Sequence, residues 1–158
     1  MYCELEEDNG YIVVYTDGCC FNNGRFGAKA GIGVFFADGS DLNVSEPLTG
    51  KATNQRAELQ AVIAACRSAI EEGIDNLQIN TDSHYVVNCV TNWVHLWRRK
   101  NWTNAKGNPV CNKEDIKEMM YLIDNYFDDV EMIYVPAHSG NYGNEQADKL
   151  AKRGAARY

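Results

Sequence analysis

The architecture of this chain follows from a β-type run, Tyr11-Ile12-Val13-Val14-Tyr15-Thr16-Asp17, and from a later run with the same ending, Leu77-Gln78-Ile79-Asn80-Thr81-Asp82. Both runs are short and mostly apolar, which predicts two strands. Between them, residues 53–72 repeat apolar side chains with a helical period, and Gly73 stops the pattern. A strand, a helix and a second strand in this order form a parallel unit. The two Thr-Asp endings are therefore expected at the same edge of one sheet.

Further elements complete a mixed sheet. Residues 31–36 and 43–48 follow the first strand through short turns, and short turns favour antiparallel hairpins. We predict a short helix from Ser83, a helix from an Asn112 cap to about residue 125, a fifth strand over residues 130–135, and a last helix from Asn144. The predicted fold class is α/β, with a mixed five-stranded sheet in which three antiparallel strands precede the parallel strands, flanked by helices.

Composition limits the class of protein. A chain of 158 residues with 45% apolar content suits a single domain over residues 1–158, in which residues 1–9 are expected to be a linker or an N-terminal tail. No apolar run is long enough for a membrane span. The six cysteines form no CxxC pair and no signal peptide precedes them, which favours free thiols in a reducing, intracellular compartment. The net charge of −7 means that binding to nucleic acid would require a local basic patch.

Four carboxylates occupy the positions where α/β sheets place their sites. Asp17 and Asp82 end strands, Glu58 lies one turn into the first long helix, and Asp148 lies in the last helix. Converging carboxylates repel one another unless divalent metal ions lie between them, so this set predicts a metal-dependent phosphoryl-transfer enzyme. Taken singly, each Asp is also an ordinary turn or cap residue. The repeated Thr-Asp ending argues against coincidence.

A second feature is the stretch 83–113, which contains no Asp or Glu although the chain has 22 acidic residues. It contains all three tryptophans, and Trp93 and Trp97 share a helix face because they are four residues apart. Cations interleaved with aromatic rings are typical of a nucleic-acid surface. The alternative is a buried tryptophan core beneath a solvated face. The predicted surface consists of Tyr85, Trp93, Trp97, Arg98, Arg99 and Lys100.

Polar residues also mark two helix starts and the turn after the first strand. Helix N-termini can bind phosphate through free N–H groups, and Asn or Gln side chains can contact the 2′-hydroxyl of RNA. The alternative for these residues is ordinary capping and turn formation. His138 lies beside Gly140 in a loop where it could move a proton at neutral pH, or it could simply be solvated. The helix-start and turn residues are Asn23, Thr53, Asn54, Gln55 and Asn112.

Together these motifs closely resemble the catalytic domain of type 1 ribonuclease H, over about residues 11–156. The resemblance is carried by residues 16–20 (TDGCC), residues 53–59 (TNQRAEL), Tyr85 with Trp93 and Trp97, and residues 138–148 (HSGNYGNEQAD). The adjacent Cys19 and Cys20, together with the tryptophan-bearing basic protrusion, resemble the eukaryotic cellular branch.

The resemblance implies a monomeric endonuclease that cuts the RNA strand of RNA–DNA hybrids and leaves 3′-hydroxyl and 5′-phosphate ends. It implies that Asp17, Glu58, Asp82 and Asp148 hold two Mg²⁺ ions, with Mn²⁺ as a substitute, and that His138 assists proton transfer and product release. By the same resemblance, Asn23, Asn54 and Gln55 contact RNA, Lys51, Thr53 and Asn112 form a DNA phosphate pocket, and Tyr85, Trp93 and Trp97 form a DNA channel. The resemblance also suggests a nuclear or mitochondrial location. We see no separate hybrid-binding domain in this chain, which implies weak processivity.

Three positions depart from the family pattern. Lys51 stands where relatives often carry Arg, Ala137 replaces a usual Gly, and Ala105 replaces a hydroxyl residue. Alternatives on the same fold are a transposase-like strand-transfer core and a 3′ exonuclease, although such exonucleases carry Asp-x-Glu in the first strand and here Gly18-Cys19 follows Asp17. A catalytically dead hybrid-binding module is a further alternative, but it would be expected to have lost one of the four acids.

Overall fold

The computed structural model describes residues 4–158 and contains one mixed sheet with helices on its faces. The strands run in the spatial order β4-β3-β2-β5-β6, and β1 pairs with β2. The strands are β1 (Glu7–Asp8), β2 (Tyr11–Phe21), β3 (Lys29–Phe35), β4 (Val44–Pro47), β5 (Asn76–Thr81) and β6 (Asp129–Tyr134). The helices are α1 (Asn54–Glu71), α2 (His84–Asn88), α3 (Val94–Arg99), α4 (Lys113–Tyr126) and α5 (Tyr142–Ala156), and a π-helical turn at Cys89–Trp93 joins α2 to α3.

The predicted mixture of strand directions is confirmed. Strands β2, β3 and β4 are antiparallel neighbours, whereas β5 is parallel to both β2 and β6. The sheet has six strands and not five, because Glu7 and Asp8 turn back onto Ile12 and Tyr11 as a short hairpin. Glu7 and Asp8, which fall within the stretch predicted to be a linker or N-terminal tail, are thus part of the sheet. Residues 1–3, with the thiol predicted for Cys3, lie outside the described residues.

Two helix starts differ from the prediction. Helix α5 begins two residues before Asn144, because the Asn141 side chain accepts a hydrogen bond from the Asn144 backbone N–H at 2.9 Å. Asn112 precedes α4 as predicted, but its backbone is left-handed, with φ of 60°, and its side chain does not cap the helix. Its amide instead donates to Gln55 and to the Tyr85 hydroxyl, at 3.2 Å each. Asn112 therefore ties α4 to the start of α1.

The core lies between the sheet and the helices that cover it. Helix α1 buries the predicted side chains Leu59, Val62, Ile63 and Cys66 against the sheet. On the other face of the sheet, α5 approaches β3 very closely. A Cβ at Gly33 would lie 2.1 Å from the Ala147 carbonyl oxygen. Glycine is needed there for contact and not for backbone freedom. This close packing fixes where α5 presents its polar side chains.

Cys19, Cys20, Cys66, Cys89 and Cys111 are free thiols. Among residues 4–158, each helix falls short of the length and apolar character that crossing a membrane requires.

Candidate functional site

Two aspartates meet at the carboxyl edge of the central strand pair. Strands β2 and β5 are parallel with Thr16 opposite Thr81, so the next residues, Asp17 and Asp82, lie side by side. Asp17 is 5% exposed, while Asp82 is half-buried. The Thr-Asp endings therefore converge as the sequence predicts.

Glu58 joins these aspartates because α1 crosses β2 at a glycine. A Cβ on Gly18 would lie 2.4 Å from the Glu58 backbone nitrogen, so a side chain there would push the helix away. Asp17, Glu58 and Asp82 each offer an oxygen, and these oxygens all lie within 4.8 Å of one another. Within residues 4–158, the buried Glu58 Oε2 has no hydrogen-bond partner. A set of hard oxygen donors with one buried, unpartnered oxygen fits a divalent cation such as Mg²⁺.

The electrostatics of the cluster point the same way. Burial, followed by the charges of Glu58 and Asp82, raises the pKa of Asp17. Burial and the Asp82 charge likewise raise the pKa of Glu58. These shifts mean that the ionised cluster is costly without a positive charge at its centre. A bound cation would remove that cost.

Asp148 lies beside this group of three and is not one of its members. Its carboxyl is close enough to Asp17 for a hydrogen bond to contribute to the raised pKa of Asp17. Lys152, one turn later on α5, contacts Asp148 through its Nζ at 2.9 Å. This lysine was not predicted to belong to the site, although its i,i+4 spacing from Asp148 on a helix is a signal visible in the sequence. The fourth predicted ligand thus lies next to the cluster, with a lysine holding it.

Asn144 is a second residue that sequence analysis did not assign to the site. It is 4% exposed, and a hydrogen bond from its side chain lowers the pKa of Asp82 against the stronger effect of burial. Within the part of the chain that the structure describes, the buried Asn144 Oδ1 has no partner. The sequence signals that could have found it are its spacing of four residues before Asp148 and its place within the motif of residues 138–148. Asn144 helps to hold Asp82 in its ionised form.

His138 lies on the exposed loop between β6 and α5, with a left-handed backbone at φ of 54°. Burial raises the pKa of Asp82 and the charge of His138 partly opposes that rise, which places His138 within electrostatic reach of the carboxylates. The neighbouring Ser139 hydroxyl donates to the Pro136 carbonyl at 2.6 Å and closes the loop. The predicted proton-transfer residue therefore lies near the cluster and is open to solvent.

The residues predicted to contact RNA and the DNA phosphate surround one cavity of about 400 Å³ at the start of α1. Asn23 reaches this cavity because its side-chain oxygen accepts a hydrogen bond from the Asn54 backbone N–H at 3.1 Å. We refer to this cavity as the first pocket. Its predicted members are Asn23, Lys51, Thr53, Asn54, Gln55 and Asn112.

Arg56 fixes the loop that carries Lys51. Its guanidinium donates to the carbonyls of Thr49 and Lys51, at 2.9 and 2.7 Å. A two-point contact with Asp115 on α4, at 3.1 and 3.2 Å, holds the guanidinium in turn. Bidentate Arg–carboxylate pairs constrain geometry as well as adding energy. The Arg56–Asp115 pair therefore orients one wall of the first pocket.

The predicted aromatic surface forms a continuous row. Ring centroids of Tyr85 and Trp93 are 6.1 Å apart, and those of Trp93 and Trp97 are 5.9 Å apart. Trp93 is 37% exposed, which excludes a fully buried core role for that ring. A cavity of about 270 Å³ lies between Gln55 and these rings, so the row borders the first pocket.

The three predicted basic residues of the protrusion differ in their contacts. Arg98 is paired with Asp124 at 2.7 Å, whereas Arg99 and Lys100 are exposed and form no ion pair among residues 4–158. Arg98 is therefore less available to a phosphate than the sequence suggests.

Comparison with known proteins supports the predicted family. The RNase H family model matches residues 9–156. Ribonuclease H1 of Rattus norvegicus is 46% identical over 144 residues, which are 91% of this chain and 50% of the rat protein. Ribonuclease HI of Neisseria meningitidis serogroup B is 39% identical over an alignment of 158 positions, and this alignment covers 95% of this chain and 99% of that protein. This chain thus spans about half the length of its rat relative.

A solved structure shares the fold. The foamy viral protease-reverse transcriptase in complex with RNA/DNA hybrid superposes with a TM-score of 0.76 at 27% identity, over 92% of this chain and 20% of the viral chain. The predicted ribonuclease H-like fold and the predicted resemblance are thereby confirmed, and this chain belongs to the RNase H family.

Proposed function

We propose that this chain is a metal-dependent endoribonuclease that hydrolyses the RNA strand of RNA–DNA hybrids and leaves 3′-hydroxyl and 5′-phosphate ends. The observation that carries the proposal is the convergence of Asp17, Glu58 and Asp82, from three separate segments, to within 4.8 Å. Its relatives named Ribonuclease H1 and Ribonuclease HI support the activity, and the hybrid-bound viral structure supports the substrate.

The metal is proposed to be Mg²⁺, as two ions that Mn²⁺ can replace. Asp17, Glu58 and Asp82 would hold the ions, and Asp148 would complete the set once its contact with Lys152 is exchanged. The chemistry that such ions would supply when held there is activation of the attacking water and stabilisation of the leaving oxygen in an in-line displacement. The pairing of raised carboxyl pKa values with an unpartnered buried oxygen supports this assignment.

The chain's own side chains would distinguish the two strands of the hybrid. Amide groups of Asn23, Asn54 and Gln55 can donate to and accept from a 2′-hydroxyl, which only the RNA strand carries. They line the first pocket together with Lys51 and Thr53, where the helix N-terminus and a lysine suit a phosphate of the DNA strand. The proposed enzyme would therefore contact both strands of the hybrid from one cavity.

Two further groups complete the proposed mechanism. Trp93 and Trp97 would pack on sugars of the DNA strand and keep that strand away from the carboxylates. The exposed His138 would accept or donate a proton at the edge of the cluster and help the product to leave. Because all these residues belong to one chain, we propose that a monomer is sufficient.

Strand-specific cleavage tests this function. RNA–DNA, RNA–RNA and DNA–DNA duplexes, labelled on each strand, are incubated with the protein in Mg²⁺ and in EDTA. We expect cleavage of the RNA strand of the hybrid only, and only with Mg²⁺. Asp82→Asn should lose cleavage while hybrid binding survives, and Asp41→Asn, at an exposed turn, serves as the matched control. Hybrid binding without any cleavage by the unmodified protein would instead favour a binding module.

A further inference from the structure

A second cavity, of about 370 Å³, lies beside the first pocket and is not lined by Asn112. Lys51 and Thr53 line both cavities, so the two are contiguous. The other walls come from the turn between β2 and β3 and from Tyr158, two residues after the end of α5. The lining residues are Gly24, Arg25, Ala28 and Tyr158. We refer to this cavity as the second pocket.

The segments that meet at the second pocket are free of acidic residues. Residues 18–37, 47–57 and 149–158 contain no Asp or Glu, in a chain that has 22. Arg25 and Lys51 project from the first two of these segments and are exposed. Neither forms an ion pair among residues 4–158. On a protein with net charge −7, a cavity with two unpaired cations is a local anion-attracting site.

Hydrogen bonds hold the walls of the second pocket in place. The Tyr158 hydroxyl donates to the Gly50 carbonyl at 3.0 Å, which joins the end of α5 to the loop that carries Lys51. The turn that carries Arg25 is closed by a bond from the Arg25 N–H to the Asn22 carbonyl at 2.9 Å. Asn23 ties the same turn to α1. Cations on walls that are already ordered lose less conformational entropy when they bind an anion.

We propose that the second pocket binds a further backbone phosphate of the strand whose phosphate occupies the first pocket, with Arg25 as its principal contact. The inference rests on the proposed function, because it needs a hybrid in the first pocket. Successive phosphates of one strand are only a few ångströms apart, so contiguous cationic cavities can hold them in series. Arg25 thereby extends the footprint of the enzyme on its substrate by at least one nucleotide.

Binding of hybrids of graded length tests this proposal. Fluorescence anisotropy in EDTA, which prevents cleavage, is measured with hybrids shortened stepwise from each end, from 50 to 200 mM salt. Each phosphate contact contributes ~0.9 to the slope of log affinity against log salt. Arg25→Gln should therefore lower that slope by about 1 on long hybrids. Between 50 and 200 mM salt, the fold-loss in affinity of Arg25→Gln should then be smaller than the fold-loss of wild type by a factor of about 3.5. On hybrids trimmed short of the second pocket at one end, Arg25→Gln and wild type should bind alike.

Two comparison variants make the result specific. Lys51→Gln should weaken binding to both long and trimmed hybrids, because Lys51 lines both pockets. Arg67→Gln removes an exposed arginine about three turns along α1 and should change neither. The proposal for the second pocket would be overturned if Arg25→Gln kept the wild-type salt slope on long hybrids, or if it lost the same affinity on hybrids of every length. Either result would leave the proposed function intact. A wild-type protein that binds no hybrid would overturn both.

Discussion

Asp17 is a carboxylate held where its ionised form is disfavoured. It is 5% exposed, and burial together with the charges of Glu58 and Asp82 raises its pKa. We predict that Asp17→Asn, which removes the charge and keeps the shape, makes the metal-free protein more stable at neutral pH. The gain should be at least about 1 kcal/mol, because one pKa unit corresponds to ~1.4 kcal/mol. Chemical denaturation in EDTA measures it.

The sign of the pH dependence follows from the direction of that shift. A carboxyl whose pKa is raised in the folded state keeps its proton above its ordinary pKa of ~3.9, where the unfolded chain has lost it. Its contribution to stability is therefore present at acidic pH and is lost as the pH rises from about 4 towards neutral. Wild type should lose stability over this range more steeply than Asp17→Asn. Equal slopes for the two proteins would show that the pKa of Asp17 is not raised in the folded state.

The sequence predicts some of these residues better than others. Asp17 and Asp82 are predictable because parallel strands with the same Thr-Asp ending must end side by side. Asn144 and Lys152 are not, because an amide or a lysine in a helix is ordinary until the fold shows which carboxylate it faces. Arg98 is a residue that the sequence assigns to the basic surface but that the fold pairs with Asp124. Because Asp124 lies on another helix, this pairing cannot be inferred from local sequence.

Among the elements, α5 depends on β3 for its position. The Cβ of an alanine at Gly33 would lie 2.1 Å from the Ala147 carbonyl oxygen and 2.6 Å from the Ala151 nitrogen. These are backbone atoms, so the helix itself must move. We predict that Gly33→Ala lowers the free energy of unfolding by about 3 kcal/mol or more. That corresponds to roughly 6–12 °C in Tm for a protein of this size, measurable by calorimetry.

Gly10→Ala is the matched comparison for this prediction. Gly10 has no heavy atom within 4 Å of its hypothetical Cβ, but its φ is +87°. Its cost is therefore limited to backbone strain, roughly 1–2 kcal/mol. If Gly33→Ala proved no more harmful than Gly10→Ala, the close packing of α5 on β3 would be wrong. The placement of Asp148 and Asn144 would then lose its basis.

The aromatic row makes a prediction about binding. Trp93 is 37% exposed and its ring lies 5.9 Å from that of Trp97. Replacing Trp93 with Ala should weaken hybrid binding by about 1–3 kcal/mol, the usual range for a stacking side chain. Tyr121→Ala, on α4 and 58% exposed, is the control for loss of an exposed aromatic ring. Equal hybrid affinities for both variants, with unchanged circular dichroism, would show that Trp93 does not contact the hybrid.

The bounds of the helices and strands show where local sequence signals are sufficient to predict an element and where they are not. The pattern of residues 53–72 closely predicts α1, because its apolar period is long and unbroken. The hairpin of β1 is missed because its two acidic residues carry no strand signal, although the Asn9-Gly10 turn between β1 and β2, with φ of 50° and 87°, is a local signal that could have found it. Asn112 is a residue type that often caps helices, yet its side chain is engaged in hydrogen bonds to Gln55 and Tyr85.

Across the entire protein, charge is strongly segregated. The net charge is −7, yet the long acid-free stretches, at residues 18–37 and 83–113, border the two pockets or carry the aromatic row. This distribution predicts binding driven by counterion release. If at least two phosphates are neutralised, affinity for a hybrid should fall by about tenfold or more between 50 and 200 mM salt. A flat response would contradict a phosphate-binding role for Lys51, Arg99 and Lys100.

The carboxylate cluster as a metal site is best tested by calorimetric titration of Mn²⁺ into the metal-free protein, into Glu58→Gln and into Asp41→Asn. Glu58→Gln keeps the shape of the side chain whose Oε2 is buried and unpartnered within residues 4–158. We predict that wild type and Asp41→Asn bind with the same affinity and that Glu58→Gln binds at least about tenfold more weakly, the range seen when a group that tunes a metal site is lost. Equal Mn²⁺ affinity for Glu58→Gln and wild type would contradict the account, because the ion would then lie somewhere other than between these three carboxylates.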